Sequence, residues 1–198
     1  MANGIYCFEG DWGKSKAPGR DVRPILDALK AWDGTPYEHH GVGTKRELEH
    51  RLEGWKRRTS FRVGYLATHG TTRTIDLGAD ELHLDELAAS IAGRAEGRVL
   101  LFSGCSVLTA PEAVLKQFCL DAGLAAVAGY TRQVDFVDGM AFEMLVLREL
   151  AASERFKSTY ARILRRHPDW CARLGFRMAT PTWASASPRR GRPPKADA

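Results

Sequence analysis

The sequence predicts a three-layer α/β/α fold built around a mostly parallel sheet. Short apolar runs with strand character alternate with amphipathic helical patterns along nearly the whole chain. The later runs, "RVLLFSGCSV" and "LAAVAGYT", are apolar on both faces, which is typical of parallel strands covered by helices on both sides. The chain has 198 residues, of which 44% are hydrophobic and 27% charged. These values indicate one globular domain with a sizeable core.

The first part of the chain predicts two strands and two helices. "GIYCFEG" is a short apolar run that ends in glycine, and "TPYEHHGV" is a weaker strand. Between them, "RDVRPILDALKAW" has apolar residues at helical spacing, with Pro24 in its first turn. "TKRELEHRLEGWKRR" begins with a capping box, because Thr44 is followed three residues later by Glu47.

The rest of the chain continues the alternation. Strands are expected in "FRVGYLATHG", "RVLLFSGCSV" and "LAAVAGYT", and helices in "HLDELAASIAG", "PEAVLKQFCLDAG" and "DGMAFEMLVLRELAA". "SERFKSTYARILRRH" predicts one more helix, ended by Pro168, and "GFRMAT" fits a final strand. We therefore expect one domain over residues 1–180, with a core over 4–152 and a C-terminal helical extension over 153–180.

Residues 181–198 are expected to form a disordered basic tail. "ASASPRRGRPPKADA" has no apolar residue larger than alanine, so it offers nothing to a core. The net charge is +5, but residues 156–198 hold ten Lys and Arg against two Asp. A basic C-terminal end thus follows a body of slight net negative charge.

The composition also excludes several classes of protein. No apolar stretch is long enough to span a bilayer, so we expect no membrane association. "MANGIYCFEG" lacks the pattern of a signal peptide, and we expect a cytoplasmic protein. The four cysteines form no CxxC pair and no zinc-like cluster with histidine, so no metal or cofactor is expected. Cys7, Cys119 and Cys171 have the context of small buried side chains.

Two strand ends hold reactive side chains. "YLATHG" places His69 before a glycine, and "LLFSGCSV" places Cys105 after one. A single helix separates the two strands, so a right-handed crossover makes them neighbours or near-neighbours in a parallel sheet. Because ligands bind beyond the carboxyl ends of such strands, we expect His69 and Cys105 to lie side by side at one edge.

A cysteine beside a histidine is the arrangement of a thiol nucleophile and its base. The thiol must lose its proton before it attacks a carbonyl carbon, and an imidazole within reach accepts that proton. Glycine beside each residue lets the backbone approach a substrate closely. The backbone N–H groups of Gly70 and Cys105 are candidates for stabilising an oxyanion. Taken singly, each residue is better explained as a satisfied histidine or a buried thiol at a strand end, and only the pair with its glycines favours catalysis.

The pair of motifs, followed by "AAVAGYT", resembles the caspase-like cysteine peptidases. That group includes caspases, metacaspases, legumain, clostripain and the bacterial CHAT peptidases. The resemblance covers roughly residues 4–152, and its spacing is similar to that of compact bacterial members. It implies an endopeptidase with His69 and Cys105 as a catalytic dyad, acting on a protein or peptide substrate. A role in bacterial defence or signalling is a further implication of the resemblance. The pentapeptide of caspases is replaced here by Ser-Gly-Cys-Ser-Val.

The resemblance also implies where a substrate side chain binds. In such folds the pocket for the residue before the scissile bond is formed by loops after the first strand and after the strand that follows the nucleophile. Here those loops contain "EGDWG" and "TRQVDF", which makes Asp11, Trp12 and Asp135 the candidate substrate-binding residues. Two carboxylates favour a basic side chain by ion pairing. A role as solvated loop residues is the alternative.

The tail contains a second motif. "PRRGRPPK" resembles the AT-hook, a short element that binds the minor groove of A·T-rich DNA. The resemblance assigns that contact to Arg190, Gly191, Arg192 and Pro193. Arginine is attracted by the strong negative potential of a narrow minor groove, and binding by a single hook is weak and salt-sensitive. A solubilising basic tail is the alternative.

Three functions therefore remain open at the level of the sequence. The first is a thiol peptidase that uses His69 and Cys105. The second is a catalytically inactive caspase-like module that acts as an adaptor. The third is a DNA-associated protein that acts through its tail. The sequence does not indicate an oligomeric state.

Overall fold

The structure is a computed structural model that describes residues 3–12 and 21–186. It has the predicted α/β/α architecture. Six strands form the main sheet, in the spatial order β2-β1-β3-β7-β8-β9, and three short strands form a second sheet, β4-β5-β6. The strands are β1 Ile5–Glu9, β2 Tyr37–Gly41, β3 Val63–Ala67, β4 His69–Thr71, β5 Thr74–Asp76, β6 Glu81–His83, β7 Val99–Phe102, β8 Ala126–Tyr130 and β9 Phe176–Ala179.

Helices cover both faces of the main sheet, as its parallel strands require. The helices are α1 Arg23–Asp33, α2 Lys45–Arg57, α3 Leu84–Ile91, α4 Glu112–Ala122, α5 Phe136–Ala151, α6 Phe156–Arg166 and α7 Pro168–Leu174. Two hydrophobic clusters separate the layers, one under α2, α3 and α4 and the other under α1, α5, α6 and α7. Adjacent residues of one strand enter different clusters, as in Leu100 and Leu101 of β7. The prediction of strands buried on both faces is thus confirmed.

The capping residues that the sequence predicted are present at the ends of the helices. Thr44 accepts a hydrogen bond from the Glu47 N–H at 3.2 Å, and the Glu47 carboxylate accepts one from the Thr44 N–H at 3.1 Å. Gly34 and Gly123 end α1 and α4 in the left-handed conformation.

Residues 153–180, expected as a helical extension, contribute to the main core. Ile163 of α6 and Cys171 of α7 lie in the same cluster as Ile5 and Cys7 of β1. Pro168 ends one helical segment and begins another, since α7 starts there. β9 pairs antiparallel with β8 at the edge of the main sheet, and the other pairs in that sheet are parallel. The predicted tail begins later than residue 181, because Ala184 bridges to Ala179 and Ser185 is buried. The rest of the predicted tail, residues 187–198, lies outside the described residues.

Two strands end earlier than the sequence pattern indicates. β3 ends at Ala67, and His69 begins the small antiparallel sheet, which the sequence analysis did not predict. Its β4–β5 turn holds Arg73 at a φ of 60°, a left-handed conformation that is uncommon outside glycine. β7 ends at Phe102, so Cys105 lies in the turn beyond the strand.

Candidate active site

The turns that hold His69 and Cys105 meet at the carboxyl edge of the main sheet. β3 and β7 are adjacent and parallel, with Leu66 opposite Phe102. The Ser103 N–H extends this pairing by donating to the Leu66 carbonyl oxygen at 3.0 Å. Both strands therefore end at the same level. The chain continues from β3 into the segment that holds His69 and from β7 into the turn that holds Cys105.

Glycine is required where the two turns touch. A Cβ atom placed on Gly70 would lie 2.5 Å from Val107 Cγ2 and 3.2 Å from the Cys105 carbonyl oxygen. A Cβ atom on Gly104 would lie 3.2 Å from the Thr68 carbonyl oxygen. The backbone of the His69 turn thus packs directly against the backbone of the Cys105 turn, at a separation that a larger residue would prevent.

His69 and Cys105 line one open cleft of about 620 Å³. Trp12 and Val134 also line it, from the loops after β1 and after β8. Four segments from the carboxyl edge, after β1, β3, β7 and β8, therefore converge on one cavity, as expected for a ligand site of a parallel α/β sheet. Its size is within the usual range for sites that bind small molecules or short peptides.

The imidazole of His69 is held by the backbone of the loop after β1. Its Nε2 atom lies 3.0 Å from the Trp12 carbonyl oxygen. A carbonyl oxygen only accepts hydrogen bonds, so Nε2 carries the proton and the neutral ring has its lone pair on Nδ1. The Trp12 ring meets the His69 ring edge to face, at 5.1 Å between centroids. The orientation and tautomer of His69 are thus fixed by its neighbours.

Cys105 is half-buried and is contacted by the loop after β8. Its Sγ atom accepts a hydrogen bond from the Val134 N–H at 3.3 Å and lies 3.7 Å from the Val134 carbonyl oxygen. The next residue, Ser106, has a φ of 57°, which is uncommon outside glycine. Within the described residues, the Cys105 N–H donates to no protein acceptor. Strained backbone and an unpaired donor beside a reactive side chain are typical of functional turns.

Trp12 is itself positioned by a buried carboxylate. The Trp12 indole N–H donates to Glu9 Oε1 at 2.6 Å, and Glu9 is 8% exposed at the end of β1. The tryptophan ring also contacts Phe136, edge to face, at 5.4 Å between ring centroids. The side chain that supports His69 is therefore fixed from two directions.

Glu9, Asp21 and His39 have donor atoms that all lie within 4.8 Å of one another, close enough to hold a cation. This group was not expected from the sequence. Glu9 Oε2 lies 2.5 Å from His39 Nε2, and Glu9 Oε1 also accepts from the Val22 N–H. Asp21 pairs with Arg23. Glu9 and His39 are therefore paired with each other and Asp21 with Arg23, and Glu9 links its pair to Trp12.

The two predicted substrate carboxylates lie in different places. Asp135 lines the cleft, and its Oδ1 atom caps α5 by accepting from the N–H groups of Val137 and Asp138 at 2.9 and 3.2 Å. Asp11 is exposed and is not among the residues that line the cleft. It packs instead beside Gly78, where an added Cβ atom would lie 2.6 Å from the Asp11 Cβ atom.

A buried glutamate, which the sequence analysis missed, lies beneath the cleft. Glu143 is 1% exposed and accepts hydrogen bonds from the Tyr65 hydroxyl and from Ser103 Oγ, the latter at 3.1 Å. Burial raises the pKa of the Glu143 carboxyl. A signal was present in the sequence, because Glu143 occupies an otherwise apolar face of α5, one turn after Gly139 and one turn before Leu147.

A second missed residue, Arg177, supports the segment after Cys105. Its guanidinium is 1% exposed and donates to the carbonyl oxygens of Leu108, Ala110 and Ser185, at 2.7 to 3.2 Å. Nothing in "GFRMAT" distinguishes this arginine from an outward-facing residue on an edge strand. Only the tertiary structure reveals its role.

The predicted DNA contact lies outside the described part of the chain. Arg190, Gly191, Arg192 and Pro193 all follow residue 186. Within the described residues, no helix combines the length and hydropathy that crossing a membrane requires.

Comparison with known proteins gives a family without an assigned activity. The sequence profile of a family of unknown function, DUF6642, matches residues 2–179. No curated protein matches the sequence. The match extends from the start of the sheet to the end of β9, so it includes the cleft and every element that forms it. The chain therefore belongs to the DUF6642 family.

Proposed function

We propose that the protein is a cysteine-dependent peptidase in which Cys105 is the nucleophile and His69 the base. The observation that carries the proposal is the fixed tautomer of His69 in the cleft that Cys105 lines. The Trp12 carbonyl oxygen engages Nε2, which leaves the Nδ1 lone pair available as a base. A histidine with only a structural role gains nothing from a free lone pair in a cleft that a thiol also lines.

The reaction follows from these roles. His69 takes the proton of the Cys105 thiol, and the thiolate attacks the carbonyl carbon of the scissile peptide bond. As the tetrahedral intermediate collapses, the C–N bond breaks and the imidazolium gives its proton to the departing amine. His69 then takes a proton from water, whose oxygen attacks the thioester. The second product leaves as a carboxylic acid, and the proton returns from His69 to the Cys105 sulfur.

The backbone of the nucleophile turn supports the charged intermediate in this scheme. The Cys105 N–H has no protein acceptor within the described residues, and Gly70 brings a second backbone segment to the cleft. Donors that are fixed before the reaction stabilise an oxyanion without a cost of reorganisation. The role proposed for Gly70 requires only backbone, which agrees with the lack of room for a side chain there.

The finer proposal is a preference for Lys or Arg before the scissile bond, and Asp135 supports it better than Asp11 because it lines the cleft. The variant Asp135→Asn removes the charge while keeping a good N-cap for α5. We expect it to reduce kcat/KM for basic substrates by about 10-fold, with little change for neutral ones. An unchanged preference for basic substrates would remove Asp135 from this role and leave the dyad intact.

Cleavage of a peptide library, read by mass spectrometry, tests the proposal. The wild-type protein should cleave a subset of peptides, and Cys105→Ser and His69→Ala should not. His83→Ala is the matched control, since His83 lies away from the cleft and pairs with Asp85 on the surface. Cleavage that persists in Cys105→Ser would overturn the proposal. A library left intact by wild-type protein would favour the inactive adaptor.

A further inference from the structure

A second cavity lies between the edge strand β2 and helix α2. It has a volume of about 290 Å³ and shares no residue with the cleft of Cys105. Its charged and titratable lining consists of Arg51, Arg57, Arg58, His40, His50 and Glu38. We call this cavity the arginine pocket. Three permanent positive charges thus surround one negative charge in a concave site.

Helix α2 and strand β2 both contribute to the arginine pocket, with Glu38 and His40 from the strand. His50, Gly54 and Arg57 follow one another at spacings of four and three residues, which places them in one row along the helix. The opposite face of α2, with Leu48 and Leu52, is buried in the core. The basic row therefore faces the edge strand across a gap.

The negative charge in the pocket is already neutralised. Glu38 pairs with Arg58 at 2.7 Å and lies 3.4 Å from His40 Nε2. Within the described residues, Arg51 and Arg57 form no salt bridge. Two guanidinium groups thus project around the cavity with no acidic partner from the described chain.

Tyr6 lies against this row of cations. Its pKa is raised by burial and by Glu38, whereas Arg51, Arg57 and Arg58 act in the opposite direction. Gly54 lets the Tyr6 hydroxyl approach the helix closely, since a Cβ atom there would lie 2.6 Å from Tyr6 Oη. The tyrosine ring also contacts His40, at 4.6 Å between centroids. A hydroxyl and an imidazole therefore lie beside the unpaired arginines.

We propose that the arginine pocket binds a small molecule through its phosphate group, such as a phosphate monoester or a diphosphate. Planar guanidinium groups match the oxygens of phosphate, and several of them around one cavity favour a multiply charged anion. The Tyr6 hydroxyl offers a further hydrogen-bond donor. The pocket is small and concave, which suits one or two phosphate groups better than the extended backbone of a nucleic acid. This site is independent of the proposed peptidase activity.

Isothermal titration with inorganic phosphate and with pyrophosphate tests the proposal, with chloride used to hold the ionic strength constant. The wild-type protein should bind pyrophosphate saturably at one site. Arg51→Gln and Arg57→Gln should each weaken binding by about 10-fold or more, because each removes charge-assisted hydrogen bonds to the anion. Glutamine keeps a high helix propensity, so α2 should remain folded.

Arg46→Gln is the matched control, because Arg46 lies on the same helix outside the pocket. It should bind pyrophosphate as the wild type does, and so should Cys105→Ser, which separates this proposal from that of the peptidase. The proposal would be overturned if neither phosphate nor pyrophosphate bound saturably to the wild-type protein. An equal loss in Arg46→Gln and Arg51→Gln would have the same consequence. Binding of an oligonucleotide at this pocket with no affinity for pyrophosphate would also overturn it.

Discussion

Cys105 and Cys7 lie in the same α/β domain but in opposite surroundings. Cys7 is in the middle of β1, fully buried, and burial raises the pKa of its thiol well above the usual range. Cys105 lies beyond the end of β7, half-buried in an open cleft, with a backbone N–H directed at its sulfur. Position relative to the strand end thus decides whether a thiol packs as a buried hydrophobic group or lines a cleft where a ligand can reach it.

The strongest test of this contrast exchanges each thiol for a hydroxyl. Cys105→Ser should lower peptidase kcat/KM by about 10³-fold or more and leave the thermal midpoint nearly unchanged. Cys7→Ser should keep activity and lower the free energy of unfolding by about 1–3 kcal/mol, because it buries a new hydroxyl. Melting curves and steady-state kinetics on both variants provide the check. The reverse pattern would place the functional thiol in β1.

Adding one methyl group where the two turns meet should affect both stability and activity. Gly70→Ala introduces a Cβ atom 2.5 Å from Val107 Cγ2, so we expect a loss of about 1–3 kcal/mol in the free energy of unfolding. The displaced turn should also lose activity. Urea denaturation measures the first effect. Gly41→Ala is the control, since nothing lies within 4 Å of a Cβ atom there. Equal stability of the two variants would contradict the close packing of the turns.

The buried carboxyl below the cleft should make stability depend on pH. Burial raises the pKa of Glu143 in the folded state, so the folded protein holds this proton more tightly than the unfolded chain. The contribution of Glu143 to stability is therefore full below its unfolded pKa and is lost as pH rises through its folded pKa.

Glu143→Gln removes this titration while keeping the size of the side chain. The wild type should lose stability as pH rises above about 4.3, the ordinary pKa of glutamate, and the variant should not. The thermal midpoint of the variant should therefore rise relative to that of the wild type. The difference should be about 2–4 °C for each kcal/mol of stability that the wild type loses. Melting curves from pH 4 to pH 8 measure the difference. A difference that stays constant over this range would show that folding does not raise the pKa of Glu143.

The smallest expected effect concerns the contact between Trp12 and Glu9. Trp12→Phe keeps an aromatic ring against His69 but loses the hydrogen bond of 2.6 Å to Glu9. We expect kcat/KM to fall by up to about 10-fold, with a change in stability near 1 kcal/mol. A parallel variant, Phe136→Leu, perturbs the other contact of Trp12 and should have a similar or smaller effect. Full activity in both variants would show that the Trp12 backbone alone holds His69.

Most of the fold was predictable because its signals are local. The capping box at Thr44, the glycines that end α1 and α4 and the strands apolar on both faces each specify an element without long-range information. The β4–β5–β6 sheet was missed because its three-residue strands are too short for a visible period.

The site was predictable only in part. The single crossover between β3 and β7 was enough to predict that His69 and Cys105 lie at one edge of the sheet. The roles of the Trp12 carbonyl, Glu9 and Arg177 depend on contacts between distant segments, for which the sequence has no period or spacing. Asp11 and Asp135 looked equivalent in the sequence, and only the geometry of their loops separates them.

The reaction of Cys105 with iodoacetamide tests the central claim most directly. Rates measured by peptide mass at pH 7 should be at least about 100-fold higher for Cys105 than for Cys119 or Cys171, because burial raises both of those pKa values to about 12. His69→Ala should slow the reaction at Cys105, and His83→Ala should leave it unchanged. If Cys105 reacts no faster in the wild type than in His69→Ala, the two residues do not act as a nucleophile and its base.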